Sequence, residues 1–210
     1  MTDTRLLRVD PRDPEEVVLK KAAAMLSAGG LVAFPTETFY GLGAHALDPH
    51  AVSRVYAAKG RPESKPLLVL VDSVRMVQSL VEGVPTAAWN LMTKYWPGPL
   101  TLLFRARRDL PVELTAGTGT IGVRMPGHPV AFGLVRTTGL PVTAPSANLS
   151  GEAPPTTAAD VQRVFEGKIE LILDGGPTKG GLPSTILDVT VSPPRVIRRG
   201  ALELPESDRR

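Results

Sequence analysis

Cysteine is absent from this 210-residue sequence. Disulfides, thiolate metal sites and a cysteine nucleophile are therefore excluded. Histidine is scarce: only His45, His50 and His128 occur, without HExxH or paired spacing, which argues against a zinc site. Aromatic residues make up only 5%, leaving little to interleave with nucleic-acid bases. No apolar run approaches the ~20 residues of a membrane span. The opening MTDTRLLRVDPRD lacks the basic-then-apolar order of a signal peptide, so a cytoplasmic location away from membranes is expected. Neither GxxxxGK[ST] nor GxGxxG is present, which removes the P-loop and the Rossmann fingerprint. Ser146 lacks a GxSxG context and a marked histidine partner, against a serine hydrolase. Glu37 is the only acid in the central loop, against a two-carboxylate mechanism.

What is present is glycine and proline, 20 and 21 residues, implying many tight, fixed loops where sites tend to sit. Apolar content of 42% and charged content of 21% are ordinary for a globular protein. The net charge of +3 suits an anionic ligand or weak nucleic-acid contact, and equally a basic solvated surface. Helix patterns are predicted from Asp13-Pro14-Glu15-Glu16 to Gly29-Gly30, from Asp48-Pro49 to Gly60, and over Ser73–Val81, Thr86–Tyr95, Pro129–Thr138 and Thr157–Glu166. Strands are predicted at Leu31–Phe34, Leu67–Val71 (buried on both faces), Leu100–Phe104, Ile121–Val123, Leu140–Thr143, Ile169–Leu173, Ser184–Val189 and Arg195–Arg199, with an edge strand at most near Leu6–Val9. Gly41-Leu42-Gly43 reads as a glycine turn, and Ala201–Arg210 as a frayed tail. Strands and helices alternate without a linker or repeat, so one α/β domain is expected. Several connections are too short for a crossover helix, so its sheet should be mixed.

The stretch Gly30–Pro66 organises the chain: strand, hydroxyl-rich loop, helix, cation pair. Lys59 supplies a point charge and Arg61 a planar fork, a useful pair for a polyphosphate. The alternative is that they neutralise the carboxyl end of the helix dipole. Thr118-Gly119-Thr120 and Asp174–Gly181 offer backbone N–H groups to an anion, or are plain turns. Thr36, Thr38, Thr143, Ser146, Asn148 and Ser184 all follow apolar strands, where ligands of α/β sheets lie; capping chemistry explains any one of them equally well. Ser146 and Asn148, two apart, face one way if extended. The set is rich in cations and hydroxyls and poor in acid–base groups. That suits chemistry with a phosphate leaving group, in which the protein positions reactants and neutralises charge.

These residues also resemble a known family. Pro35-Thr36-Glu37-Thr38-Phe39-Tyr40-Gly41-Leu42-Gly43, Lys59-Gly60-Arg61-Pro62, Pro97-Gly98-Pro99-Leu100-Thr101, Val123-Arg124-Met125-Pro126, Ala144-Pro145-Ser146-Ala147-Asn148-Leu149-Ser150-Gly151 and Ser184-Thr185-Ile186 are similar, in order, to the YrdC/Sua5 family of threonylcarbamoyl-AMP synthases. The resemblance covers about Ala22 to Gly200. It implies an α/β fold with an open twisted sheet, flanking helices and a concave basic face. It also implies a single YrdC-like domain over residues 1–210, with its core at about 15–200 and a tail at 201–210, as in the short stand-alone members. The implied reaction joins L-threonine, bicarbonate or CO2 and ATP, with Mg2+ on the phosphates, into threonylcarbamoyl-AMP and pyrophosphate. The product would pass to a tRNA threonylcarbamoyl-transferase complex for modification of adenosine 37. By resemblance, Lys59 and Arg61 hold the ATP phosphates and are the catalytic pair, and Ser146, Asn148 and Arg198 bind the nucleotide. Arg124 reaches the phosphates or the substrate carboxylate; Thr36 contacts threonine; Thr120, Thr143 and Ser184 line the threonine and nucleotide pockets. Two departures stand out: Leu67–Val71 lacks a histidine that some members use to hold threonine, and Arg199 stands where many have proline. The rival readings are a carbamoyl-adenylate-forming relative with another substrate, and a protein contacting double-stranded RNA or tRNA through a basic concave face.

Overall fold

The structure, a computed structural model, describes residues 3–208. The outermost residues of the expected domain, 1–2 and 209–210, lie outside the described residues. Strands β1 (Arg5–Arg8), β2 (Val32–Pro35), β3 (Tyr40–Gly43) and β8 (Leu171–Asp174) form a four-stranded sheet in the order β1-β8-β2-β3. Strands β4 (Leu68–Leu70), β5 (Leu100–Arg105), β6 (Thr120–Arg124), β7 (Val142–Thr143), β9 (Thr185–Asp188) and β10 (Arg195–Arg198) form a six-stranded sheet in the order β10-β9-β5-β6-β4-β7. Both sheets mix parallel and antiparallel pairs. The expected α/β class and mixed pairing hold, but the strands divide into two sheets rather than one.

Edge strands β3 and β7 meet at a seam. Bridges join Gly41 to Ser146 and His45 to Val142. Thr143 is fully buried there, donating from Oγ1 to the Leu42 carbonyl and accepting the Ala44 N–H at 2.9 Å. Gly41-Leu42-Gly43, expected as a turn, is therefore strand β3, and the chain reverses one step earlier, at Thr36–Phe39. Its glycines serve close approach. A Cβ on Gly43 would stand 2.6 Å from Phe34 and 2.9 Å from Val142.

Helices α1 (Glu16–Ser27) and α6 (Pro129–Thr138) pack together on one side. With β2 and β8 they enclose a core around Leu26, Phe34, Leu134 and Leu173. Helix α1 starts later than Asp13-Pro14 suggested: Glu15 is its N-cap residue, makes no side-chain capping bond and instead accepts the Asp10 N–H. Helix α2 (Pro49–Lys59) starts as its sequence says, with Asp48 accepting the His50 N–H and Pro49 in the first turn. It ends on Gly60 in the left-handed region, φ 55°. Val52, Val55 and Tyr56 bury its apolar stripe. Helices α3 (Val74–Leu80), α4 (Thr86–Tyr95), the four-residue α5 (Val112–Thr115) and α7 (Ala158–Phe165) complete the layers. Thr157 caps α7, accepting the Asp160 N–H and donating to the Asp160 carboxylate. Among the described residues no helix is long and apolar enough to cross a membrane.

The tail is docked over its described part. Leu204 is buried, Leu202 exchanges hydrogen bonds with Thr185, and Asp208 bonds Lys94 and Tyr95 of α4. Buried apolar contact and these bonds override the polar composition that suggested fraying.

The seam sets a stability test. Gly43→Ala forces a methyl group against the buried Phe34 ring, so the urea midpoint is expected to fall by an amount corresponding to roughly 1–3 kcal/mol. An unchanged midpoint would contradict the tight approach at the seam.

Candidate active site

One face of the six-stranded sheet borders a cavity. Alternate residues on it, Leu68 and Leu70, Thr101 and Leu103, Gly122 and Arg124, floor a cavity of about 360 Å³. The residues between them, Val69, Leu102 and Val123, point the other way and are fully buried. The expectation that Leu67–Val71 is buried on both faces thus fails for Leu68, which is only partly buried because it faces the cavity. Beyond β5 the floor continues through Ser184, Ile186 and Arg198, and the seam supplies Thr36, Thr38, Tyr40 and Ser146 as the opposite wall.

Three guanidinium groups reach this one space: Arg61, Arg124 and Arg198. Arg61 follows the end of α2 and donates to the carbonyls of Lys65 and Pro66 at 3.1 and 3.0 Å. Arg198 donates through Nε and Nη2 to the Ser184 carbonyl and through Nη2 to Ser184 Oγ. Ser184 Oγ in turn lies 2.9 Å from Thr101 Oγ1. Burial, and then the charge of Arg124, lower the pKa of Arg198; burial also lowers that of Arg61. Arg124 is 3% exposed, and its Nε donates to the Gly98 carbonyl.

Glu37 lies beside Arg124, with Oε1 2.6 Å from Nη2. The approach is close but not aligned as a hydrogen bond, and Glu37 Oε2 is buried without a partner. Glu37 also accepts the Gly127 N–H at 2.9 Å. Burial pushes its carboxyl up, yet Arg124 and the Gly127 N–H outweigh this and hold it below its ordinary value. His128 accepts the Val130 N–H at Nδ1, and burial lowers its pKa against the opposing charge of Glu37.

The sequence candidates separate into two groups. Thr36, Arg61, Arg124, Ser146, Ser184 and Arg198 line the cavity together. Lys59, Asn148, Thr120 and Thr143 do not. Lys59 is 2% exposed, and its Nζ donates to the carbonyls of Ser146 and Asn148, both at 2.5 Å. Burial and then Arg61 pull this amine down to about 8. Asn148 spends its amide donors on the Leu149 and Glu152 carbonyls, while its Oδ1 is buried unpaired. Thr143 is committed to the seam. Thr120 opens β6 beyond the cavity edge and bonds Thr118.

Residues that sequence reasoning did not select include Glu37, Tyr40 and the floor residues Leu68, Thr101 and Gly122. The two-residue alternation in Leu68–Leu70, Thr101–Leu103 and Gly122–Arg124 was the available signal. Among the described residues no group of three or more histidine, aspartate or glutamate side chains is placed to hold a metal ion. Cations and hydroxyls around an apolar floor suit an anionic ligand with a small uncharged part.

Lys59 gives a pH test with a definite sign. Its pKa in the folded chain lies below the unfolded value, so its stabilising contribution is complete above about 10.5 and is lost as pH falls through about 8. Relative to Lys59→Met, the native protein should therefore gain stability between these limits. Parallel urea midpoints would contradict a buried amine.

The chain is similar to several known proteins. A family model described as "Telomere recombination", covering Sua5, YciO and YrdC, matches residues 24–200. A threonylcarbamoyl-AMP synthase of Pyrococcus abyssi is 45% identical over 195 residues, covering 93% of this chain and 57% of that protein. One of Bacillus subtilis is 44% identical over 191 residues, covering 90% of this chain and 54% of that protein. The crystal structure of P. abyssi Sua5 complexed with L-threonine is similar with a TM-score of 0.93 and 44% identity, over 97% of this chain and 60% of that one. The chain thus spans little more than half the length of these curated relatives.

Proposed function

The chain belongs to the Sua5/YciO/YrdC family, and on that premise we propose that it makes threonylcarbamoyl-AMP and pyrophosphate from L-threonine, bicarbonate or CO2, and ATP. The observation that carries this reading is the meeting of Arg61, Arg124 and Arg198 in one cavity lined by threonine and serine hydroxyls. The relatives' shared name and the threonine bound to the P. abyssi protein support it.

In this reaction the threonine amine adds to CO2, losing a proton, to give a carbamate. A carbamate oxygen then attacks the α-phosphorus, and pyrophosphate leaves. The chain supplies no nucleophile. Its arginines hold carboxylate and phosphates together and offset their repulsion, and holding reactants in place contributes up to about 7–11 kcal/mol in favourable cases. Magnesium enters as part of the ATP substrate, since the cavity offers guanidinium and hydroxyl groups rather than a carboxylate cage. Arg61 and Arg198 take the polyphosphate, and Arg124, fixed by Gly98 and Glu37, takes the amino-acid carboxylate. Lys59 acts at one remove: it fixes the Ser146–Asn148 segment against α2. The adenylate would pass to a tRNA threonylcarbamoyl-transferase complex in the cytoplasm.

Threonine-dependent pyrophosphate release, with the adenylate identified by mass spectrometry, tests the activity. Arg198→Ala removes charge-assisted bonds worth roughly 1.5–3 kcal/mol, so kcat/KM for ATP should fall about 10- to 150-fold. Full activity in that variant, or release that ignores threonine, would defeat the assignment.

A further inference from the structure

Gly122 sits inside β6, directly opposite Leu68 of β4 on one side and Leu103 of β5 on the other. All three face the cavity. Glycine in a strand interior weakens the strand and marks a place where something must come close. Here no backbone need explains it, because Gly122 is not among the glycines with positive φ. Nor would a side chain clash: a Cβ would meet Thr101 Cγ2 at 3.4 Å and Leu68 Cδ1 at 4.0 Å, which are ordinary contacts. An alanine would fit the protein and fill only the cavity.

The missing side chain leaves a notch between two leucines that lie about 9–10 Å apart across two strand spacings. Its walls are hydrocarbon. The strand N–H and C=O groups on either side are committed to the β4–β6 and β5–β6 ladders. Such a notch has no group with which to read the ring nitrogens of a purine, whereas a methyl group needs none. Arg124 is two residues further on the same strand and the same face. The Thr101–Ser184 hydroxyl pair borders the notch on the β5 side.

We propose that Gly122 is a specificity-determining position: the Leu68–Gly122–Leu103 notch receives the β-methyl group of a short hydroxy amino acid whose carboxylate lies at Arg124. This rests on the activity proposed above and names what selects its amino acid. Serine, lacking the methyl, leaves the notch empty. Valine fills it but offers no hydroxyl to Thr101 and Ser184.

The test compares wild type and Gly122→Ala, with amino-acid-dependent pyrophosphate release for threonine and serine at saturating ATP. Calorimetric binding of each amino acid is measured in parallel. One methyl-sized group in an apolar pocket is worth roughly 10- to 200-fold in discrimination. The threonine-to-serine ratio of kcat/KM in Gly122→Ala should therefore fall at least tenfold, with threonine affinity falling in step. Leu68→Ala, which widens the notch instead, should raise the isoleucine-to-threonine ratio and serves if Gly122→Ala misfolds. An unchanged ratio in the folded variant overturns the proposal. So does an equal loss for both amino acids with a raised KM for ATP, which would put the purine in the notch. If the wild type binds threonine but releases no pyrophosphate, the proposed activity fails, while the calorimetric ratio still decides the notch.

Discussion

Positive charge gathered in one cavity of the six-stranded sheet is the constraint on which this structure turns. Arg124 and Arg198 approach closely enough that the first helps to lower the pKa of the second. Guanidinium groups do not escape such repulsion by losing a proton. Among the described residues Glu37 forms an ion pair with Arg124, and none is formed by Arg61 or Arg198. The remaining charge is steadied by carbonyls at Ser184, Lys65 and Pro66, which orient the guanidinium groups without neutralising them. An anion entering the cavity supplies the missing charge, so its binding should also stabilise the fold by mass action.

The frame around this cavity depends on a second buried cation. Lys59 spans from the end of α2 to the carbonyls of Ser146 and Asn148. The same segment continues the seam, where Ala147 N–H donates to the Tyr40 carbonyl and Leu42 N–H to the Pro145 carbonyl. Two sheets, one helix and the Ser146–Asn148 segment are thereby tied at one corner. The Lys-x-Arg pair thus divides its labour: Lys59 shapes the wall, and Arg61 faces the space it encloses.

Local signals made much of this legible in the sequence. Asp48-Pro49 and Gly60 set the limits of α2, and Thr157 with Asp160 set the start of α7, because capping and proline chemistry act within a few residues. The division into two sheets was not legible, since it depends on the meeting of β3 and β7, which are about a hundred residues apart in sequence. Gly41 and Gly43 looked like turn residues for the same reason: their need is closeness to Phe34 and Val142, which no local pattern records. In the site, Arg61, Arg124 and Arg198 were found by motif. The alternation along β4, β5 and β6 was visible, yet nothing local marks which side of the sheet opens onto a cavity, so Leu68 and Gly122 read as ordinary strand residues. Lys59 and Thr143 carry the right residue types, but tertiary partners claim their polar atoms.

Where the anions gather decides how this cavity works. A crystal structure of the protein with a non-hydrolysable ATP analogue and threonine tests it most directly. The triphosphate should lie against Arg61 and Arg198, with the amino-acid carboxylate at Arg124. Nucleotide bound on another surface, with the three arginines still turned to their carbonyl partners, would contradict it.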